Sequence, residues 1–220
     1  RAQVTGIDRL GEGGALLRLK TPRSNTLRFM SGQSVRLTTE NGEQARYQLA
    51  SCACDGRKLL FFIRDSGDAF SRAVLEEQLV GQAVTIEGPD GDFVLEEESL
   101  APSIFIAAAD GYGPVLSMVE QAISIDNADR IAVYLVEEPA WGDAFENRLR
   151  SWKDALDNFE VTHLPAGIGI SDLRDRLKEE NPDLGESDIY LAGPDELVTP
   201  LARIIDMDLN ARQCRVCAIH

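Results

Sequence analysis

The pattern of hydrophobic and polar positions divides the chain into two halves with different periodicity. From residue 1 to about 98, short apolar runs alternate with turn residues, as in AQVTGIDRL (2–10), ALLRLK (15–20), VRLTTE (35–40), ARYQLAS (45–51), KLLFFIR (58–64) and AVTIEG (83–88). The pairs Asn41-Gly42 and Asp55-Gly56 mark turns, and helical spacing of apolar residues predicts one helix over 69–79. Many short strands with one helix predict a small antiparallel β-barrel.

The second half alternates strands with helices. Strands are predicted at 103–109, 131–136, 159–164, 188–192 and 213–219, and helices at 114–125, 143–155, 171–180 and 195–206. Regular β-α alternation predicts a parallel sheet with helices on both faces. The change of pattern falls in the acidic segment 97–101, so the predicted domains are 1–98, an antiparallel β-barrel, and 101–220, an α/β domain with a parallel sheet.

The stretch 102–118 joins an apolar strand to an amphipathic helix through the small residues of AAADGYGP (107–114). Such a turn is typical of nucleotide-binding α/β domains, because phosphates approach the backbone closely and meet the free N–H groups of the helix N-terminus. An ordinary strand–helix junction in an α/β domain gives the same pattern.

Charge and composition narrow the class of partner. The chain has 220 residues, 44% of them hydrophobic, and a formal net charge of −15. This charge argues against nucleic acid and anionic membranes as partners, whereas a basic protein partner or simple solubility is compatible with it. No segment approaches the roughly 18 consecutive apolar residues that membrane insertion requires. With no secretion leader visible, we expect a cytoplasmic protein, and the first residue, Arg1, indicates an excerpt of a longer chain.

The four cysteines form two close pairs in the sequence, Cys52/Cys54 and Cys214/Cys217. Together with His163 and His220 they raise the question of a zinc site. Cys-x-Cys has the wrong spacing for a zinc knuckle, and both pairs lie in or beside predicted strands. We therefore expect no metal, and reduced cysteines that act as small hydrophobic residues.

Six motifs resemble those of the ferredoxin–NAD(P)+ reductase family, in the family's order: GQSVRL (32–37), ARYQLAS (45–51), GDAFSRAVL (67–75), GPDGDF (88–93), AAADGYGP (107–114) and YLAGPDELV (190–198). The chain looks most like the reductase components of bacterial multicomponent oxygenases. The resemblance implies a flavoprotein that passes electrons from NADH through FAD to a [2Fe–2S] ferredoxin-type partner or domain, serving an oxygenase. It leaves open the terminal acceptor, the oligomeric state and whether a [2Fe–2S] domain precedes residue 1.

For the flavin, the resemblance implies that Tyr47 stacks on the ring and that Gln48 lies where relatives place the residue that hydrogen-bonds flavin N5. These two are the candidate catalytic residues. The family's pyrophosphate-binding arginine would fall on Ala45, and the neighbouring Arg46 should point to the opposite face of the strand. Asp68 replaces a glycine beside the pyrophosphate. The implied FAD-binding residues are Arg46, Tyr47, Gln48, Leu49, Ile63, Arg64, Gly67, Phe70 and Ser71.

For the nucleotide, the implied NAD-binding residues are Asp110, Gly111, Pro114, Glu137, Glu138, Gly193 and Pro194. Asp110 is predicted to cap the helix and to occupy the phosphate position with its own carboxylate, in a domain separate from the flavin. Glu137 and Glu138 favour NADH over NADPH because they would repel a 2′-phosphate, although a solvated acidic loop gives the same pattern. Ala192 replaces the cysteine that often touches the nicotinamide in relatives.

These departures support a second hypothesis. In it, the chain is a degenerate, non-catalytic family member that binds no pyridine nucleotide, with or without flavin, and acts as a docking or regulatory subunit. Ala45, Asp68 and Asp110 favour this alternative. The residues that favour the enzyme are Tyr47, Ser71, Gly111, Pro114, Gly193 and Pro194.

Overall fold

A computed structural model describes residues 1–126 and 128–219. Its first half is an antiparallel barrel whose strands are hydrogen-bonded in the order β4-β3-β6-β1-β2-β5. A hydrogen bond from the Ala50 N–H to the Leu60 carbonyl (2.9 Å) joins the two ends of this order. The predicted barrel is confirmed. Its elements are β1 (Ala2–Arg9), β2 (Gly14–Lys20), β3 (Ser34–Thr38), β4 (Gln44–Gln48), β5 (Lys58–Arg64), α1 (Ala69–Leu75) and β6 (Ala83–Asp90).

Local signals explain most barrel elements. Asn41-Gly42 turns β3 back onto β4, and Gly42 has the positive φ of 94° that such a turn needs. The turn at Asp55-Gly56 instead leads to β5, which pairs with β2. The helix α1 ends at Leu75, four residues before its predicted end, because Glu77 adopts a left-handed conformation with φ of 57°.

The second half is a five-stranded parallel sheet in the order β11-β10-β7-β8-β9. One face packs on α2 and α3, and the other on α4 and α5, so the predicted α/β domain is confirmed. The domain limits 1–98 and 101–220 stay a prediction. The elements are β7 (Ser103–Ala107), α2 (Tyr112–Ile125), β8 (Ile131–Val136), α3 (Glu146–Ala155), β9 (Phe159–Leu164), α4 (Ile170–Glu180), β10 (Asp188–Pro194), α5 (Asp195–Ile204) and β11 (Gln213–Ile219).

A loop of the second half, residues 137–145, packs against the barrel; we call it the crossing loop. The helix predicted from 143 therefore begins only at Glu146. Trp141 of this loop is 1% exposed and meets the barrel residue Phe62 edge-on, with ring centroids 5.0 Å apart. A Cβ on Gly11 or Gly14 would come within 2.0 Å of a carbonyl oxygen of the loop. Two barrel glycines thus permit the close contact between the halves.

The prediction that all four cysteines are reduced is wrong for one pair, because Cys52 and Cys54 form a disulfide. Cys214 and Cys217 are free, and burial raises the pKa of both thiols. Across the described residues, no group of three or more His, Cys, Asp or Glu side chains could hold a metal ion, and His220 lies outside them. In the same part of the chain no helix is both long and apolar enough to span a membrane.

Candidate flavin and nucleotide site

A pocket of about 230 Å³ lies where the barrel meets the turn that follows β7; we call it the barrel pocket. Strands β4 and β5 supply one wall and the start of α2 supplies the other. Its lining includes Tyr47, Gln48, Arg64, Asp68, Asp110 and Ile219. The fold therefore brings together residues from both predicted sites.

Tyr47 is one of two aromatic residues that line this pocket, and Phe62 is the other. The Tyr47 ring packs on Phe70 with a centroid distance of 5.6 Å, and its Oη is buried without a hydrogen-bond partner among the described residues. Burial raises the pKa of the phenol, so the hydroxyl stays protonated and can donate. A buried hydroxyl without a partner costs about 1–3 kcal/mol, which a ligand that accepts its hydrogen bond would offset.

Gln48 meets the last strand of the second half. Its Nε2 lies 3.8 Å from the Sγ of Cys217. In the parallel register of β10 and β11, Cys217 is the neighbour of Ala192. The Cys217 thiol therefore reaches the Gln48 side chain from β11, although Cys217 itself does not line the barrel pocket. The sequence predicts a small hydrophobic role for Cys217, and its spacing from Cys214 gives no indication of this contact.

The other predicted flavin residues differ in their access to the pocket. The Arg46 guanidinium turns to the corner after β6, where it lies 3.1 Å from both the Asp90 carboxylate and the Ser34 hydroxyl. Gly67 has open space around it and a φ of 74°. Three more predicted flavin residues, Leu49, Ile63 and Phe70, are fully buried in the barrel core.

Asp68 caps α1 with its own carboxylate. It accepts hydrogen bonds from the Ser71 N–H (2.9 Å) and from the Ser66 hydroxyl, while the Ser71 hydroxyl donates to the Asp68 carbonyl (3.1 Å). Although partial burial acts in the opposite direction, these hydrogen bonds hold the pKa of Asp68 below its usual range. The groups of Ser71 that were predicted to meet a pyrophosphate are therefore already engaged.

Asp110 does not cap α2, so that prediction is wrong. The helix begins at Tyr112 without a side-chain cap, and the Asp110 carboxylate lies 3.1 Å from Arg64 instead. The same guanidinium lies 3.3 Å from Glu138 in the crossing loop. We call this three-residue contact between the halves the Arg64 bridge. Burial raises the pKa of Asp110, the Arg64 charge lowers it, and its Oδ1 is buried without a partner.

A second pocket, of about 390 Å³, adjoins the first and lies between the turns that follow β7 and β10; we call it the turn pocket. Arg64, Asp110 and Ile219 line both pockets, so Asp110 of the second half also lies at the barrel pocket. The turn pocket has four carboxylates and one guanidinium. The charged residues are Arg64, Asp110, Glu138, Asp195 and Glu196.

The glycines of the two turns allow the turns to pack on each other. A Cβ on Gly111 would lie 2.1 Å from the Ala192 carbonyl oxygen, and one on Gly193 would lie 3.0 Å from Ala108. Pro114 is buried in the first turn of α2. Pro194, the last residue of β10, lines the turn pocket.

Tyr112 and Trp141 complete this region, and sequence reasoning missed both. The Tyr112 hydroxyl donates to the Val136 carbonyl (2.9 Å), and the Trp141 Nε1–H donates to the Ala109 carbonyl (2.8 Å). Glu137 and Glu138 line a separate pocket of about 300 Å³ beside the end of β8. Of the two, Glu138 also belongs to the Arg64 bridge, whereas Glu137 is exposed.

An antiparallel barrel followed by this parallel sheet, with a pocket between them, is the two-domain architecture of ferredoxin reductases. No protein-family model matches the sequence. A CDP-6-deoxy-L-threo-D-glycero-4-hexulose-3-dehydrase reductase of Yersinia pestis is 25% identical over 206 residues, which cover 90% of this chain and 61% of the relative. Methane monooxygenase component C of Methylosinus trichosporium is 35% identical over 126 residues, covering 54% of this chain and 37% of the relative.

Among solved structures, phthalate dioxygenase reductase superposes with a TM-score of 0.74 at 17% identity, over 98% of this chain and 67% of that one. The sequence relatives are reductases and oxygenase components. The resemblance of this chain to the ferredoxin–NAD(P)+ reductase family, and to reductase components of oxygenases, is therefore confirmed. The chain spans about 61% of the length of the first of these curated relatives.

Proposed function

We propose that this chain is the FAD- and NADH-binding part of a flavoprotein reductase that delivers electrons to a [2Fe–2S] ferredoxin-type partner or domain, serving an oxygenase. The observation that carries the proposal is the unpartnered Tyr47 hydroxyl in a pocket shared by both halves. Phthalate dioxygenase reductase, which has the same fold, is described as transferring electrons from pyridine nucleotides to [2Fe–2S], and this supports the proposed direction of electron transfer. The non-catalytic alternative is not favoured, because the relatives are named as reductases.

The residues of the barrel pocket fit a flavin. Tyr47 offers a buried hydroxyl donor and an aromatic face, and Gln48 offers an amide that can both donate and accept. Arg64 adds a positive charge at the wall common to both pockets. When bound, FAD would accept a hydride and release its two electrons one at a time.

The second half would place NADH against the same wall. In this proposal the nucleotide occupies the turn pocket, between Pro194 and Asp110, and the flavin occupies the barrel pocket. Trp141 holds the crossing loop against the barrel, and Arg64 ties that loop to β5 through Glu138. These contacts keep the two pockets adjacent, which an exchange between two bound cofactors requires.

Tyr47→Phe should weaken FAD binding about fivefold, the effect of one lost hydrogen bond of about 1 kcal/mol. The folded chain without FAD should be no less stable than the wild type, because the hydroxyl has no partner there. Flavin fluorescence quenching on titration gives the Kd. Tyr190→Phe is the matched control: its hydroxyl accepts from the Glu96 N–H (3.0 Å), so it should lose stability and keep FAD affinity. Failure of the wild type to bind FAD would overturn the proposal.

NADH should reduce the flavin with a kcat/KM about fivefold better than NADPH. Glu137 is exposed at the end of β8, and its screened repulsion of a 2′-phosphate accounts for about 1 kcal/mol. Stopped-flow bleaching with each nucleotide measures the ratio. Glu137→Gln should remove most of the preference, and Glu179→Gln, an exposed carboxylate of α4, should leave it unchanged. An equal or reversed ratio in the wild type would contradict the assignment.

A further inference from the structure

Another pocket, of about 390 Å³, lies on the outer face of the barrel where α2 and α3 approach it; we call it the basic pocket. It shares no lining residue with the barrel pocket or the turn pocket. Its walls carry four cationic side chains and the Cys52–Cys54 disulfide, with Asp55 and Glu120 as its carboxylates. The cationic residues are Arg18, Lys20, Lys58 and Arg148.

The two lysines of this pocket are cross-strand neighbours of like charge. Lys20 and Lys58 stand directly opposite each other in the antiparallel register of β2 and β5, an arrangement that like charges disfavour. Arg18 pairs with Asp8 (2.5 Å) and Arg148 lies 3.9 Å from Glu120, but within the described residues neither lysine has an ion-pair partner. In a chain of net charge −15, this is a local concentration of unpaired positive charge that suits an anion.

The disulfide lies in the same wall and is open on one side. Cys54 is exposed, whereas Cys52 is 4% exposed. The Sγ of Cys52 lies 3.0 Å from the Gln121 Oε1 of α2, an acceptor that a thiol could use and a disulfide sulfur cannot. The sulfur of Cys54 is therefore the one that a reagent can reach. The sulfur of Cys52 is the one that, once reduced, has a hydrogen-bond acceptor in place.

We propose that the basic pocket binds an anionic low-molecular-weight thiol, which reduces the Cys52–Cys54 disulfide by exchange. The thiolate attacks the Sγ of Cys54, the Cys52–Cys54 bond breaks, and a mixed disulfide forms on Cys54. Cys52 leaves as a thiolate and takes up the proton that the thiol released, and the resulting S–H donates a hydrogen bond to the Gln121 Oε1. A second thiolate attacks the outer sulfur of the mixed disulfide. The two thiols end as one disulfide, and the protein gains two thiols.

The test compares three thiols of different charge on the oxidised full chain. The probes are 2-mercaptoethanesulfonate, 2-mercaptoethanol and 2-aminoethanethiol. For each reagent, the rate at which protein thiols appear is divided by the concentration of its thiolate form. It is then divided by the rate at which the same thiolate reduces hydroxyethyl disulfide, which corrects for differences in intrinsic reactivity between the three thiols. The sulfonate should react about tenfold faster than the neutral thiol, and the cationic thiol should be slowest. The preference should shrink at high salt.

Variants assign the effect to the pocket. Lys20→Gln/Lys58→Gln should remove the charge preference, while Lys178→Gln, an exposed lysine of α4, should retain it. Peptide mapping after acid quench should find the adduct on Cys54. Four titratable thiols in the denatured oxidised chain, where the disulfide predicts two, would overturn the proposal. Equal normalised rates for the three thiols, or an adduct on Cys52, would also overturn it.

Discussion

Asp110→Asn should tighten NADH binding about tenfold. Asparagine keeps the size of the side chain and an acceptor for Arg64, but it removes one of the four negative charges of the turn pocket. Relief of repulsion between a carboxylate and a nucleotide phosphate amounts to about 1–2 kcal/mol after screening, and 1.4 kcal/mol is a factor of ten. FAD affinity should also rise, because Asp110 lines the barrel pocket as well.

Titration of NADH at two salt concentrations measures this effect, and the difference between variant and wild type should narrow at high salt. Glu196→Gln is the matched control, since Glu196 lines the same pocket but is exposed and contacts no part of the Arg64 bridge. Its effect should stay below about threefold, owing to solvent screening. Weaker NADH binding by Asp110→Asn would mean that the carboxylate is needed to hold Arg64 in place.

Arg64→Met should weaken both FAD and NADH about thirtyfold. Arg64 is the cation of the turn pocket and lines the barrel pocket too, so its loss removes the positive charge nearest to both dinucleotides. A charged hydrogen bond to phosphate contributes about 2 kcal/mol, which corresponds to this factor. Arg46→Met is the control, because Arg46 lines the barrel pocket but not the turn pocket, so its effect on NADH affinity should be below about threefold. Unchanged affinities for FAD and NADH in Arg64→Met would show that the Arg64 charge does not contribute to binding either dinucleotide.

The same variant should lose stability in a pH-dependent way. Burial raises the pKa of Asp110 and the Arg64 charge lowers it. The pKa of Asp110 is raised even with Arg64 present, and without Arg64 the folded chain holds the Asp110 proton to a still higher pH. The stability of the variant therefore falls further than that of the wild type as the pH rises from about 4 through the raised pKa. The deficit in urea unfolding should therefore be small near pH 4 and about 1–2 kcal/mol at pH 7. An equal deficit at both pH values would show that Asp110 is not its source.

The sequence predicts the two halves well because their signals are local. Turn residues such as Asn41-Gly42, and the unbroken apolar runs of strands such as 131–136, determine each element without reference to distant parts of the chain. Motif order then indicates the family, since it depends only on which residues follow one another. The pairing of β5 with β2, by contrast, depends on barrel closure, which no local signal encodes.

The site is less predictable because its contacts cross between the halves. Arg64 was expected near the flavin by position alone, yet its partners lie 46 and 74 residues away along the chain. Asp110 had the sequence pattern of a helix cap, and the nearby guanidinium outweighs that local preference. The crossing loop was in part predicted to be helical, because burial of Trp141 against Phe62 has no periodic signature in the sequence.

In the proposed function, one chain brings NADH and FAD together at the wall that the barrel pocket and the turn pocket share. The most direct measurement is anaerobic mixing of the FAD-loaded protein with NADH, followed by absorbance at the flavin band near roughly 450 nm. We expect rapid bleaching whose rate saturates with NADH concentration and falls in Arg64→Met. If the protein binds FAD with Tyr47-dependent affinity but is not bleached by NADH at any concentration, the proposed function is wrong.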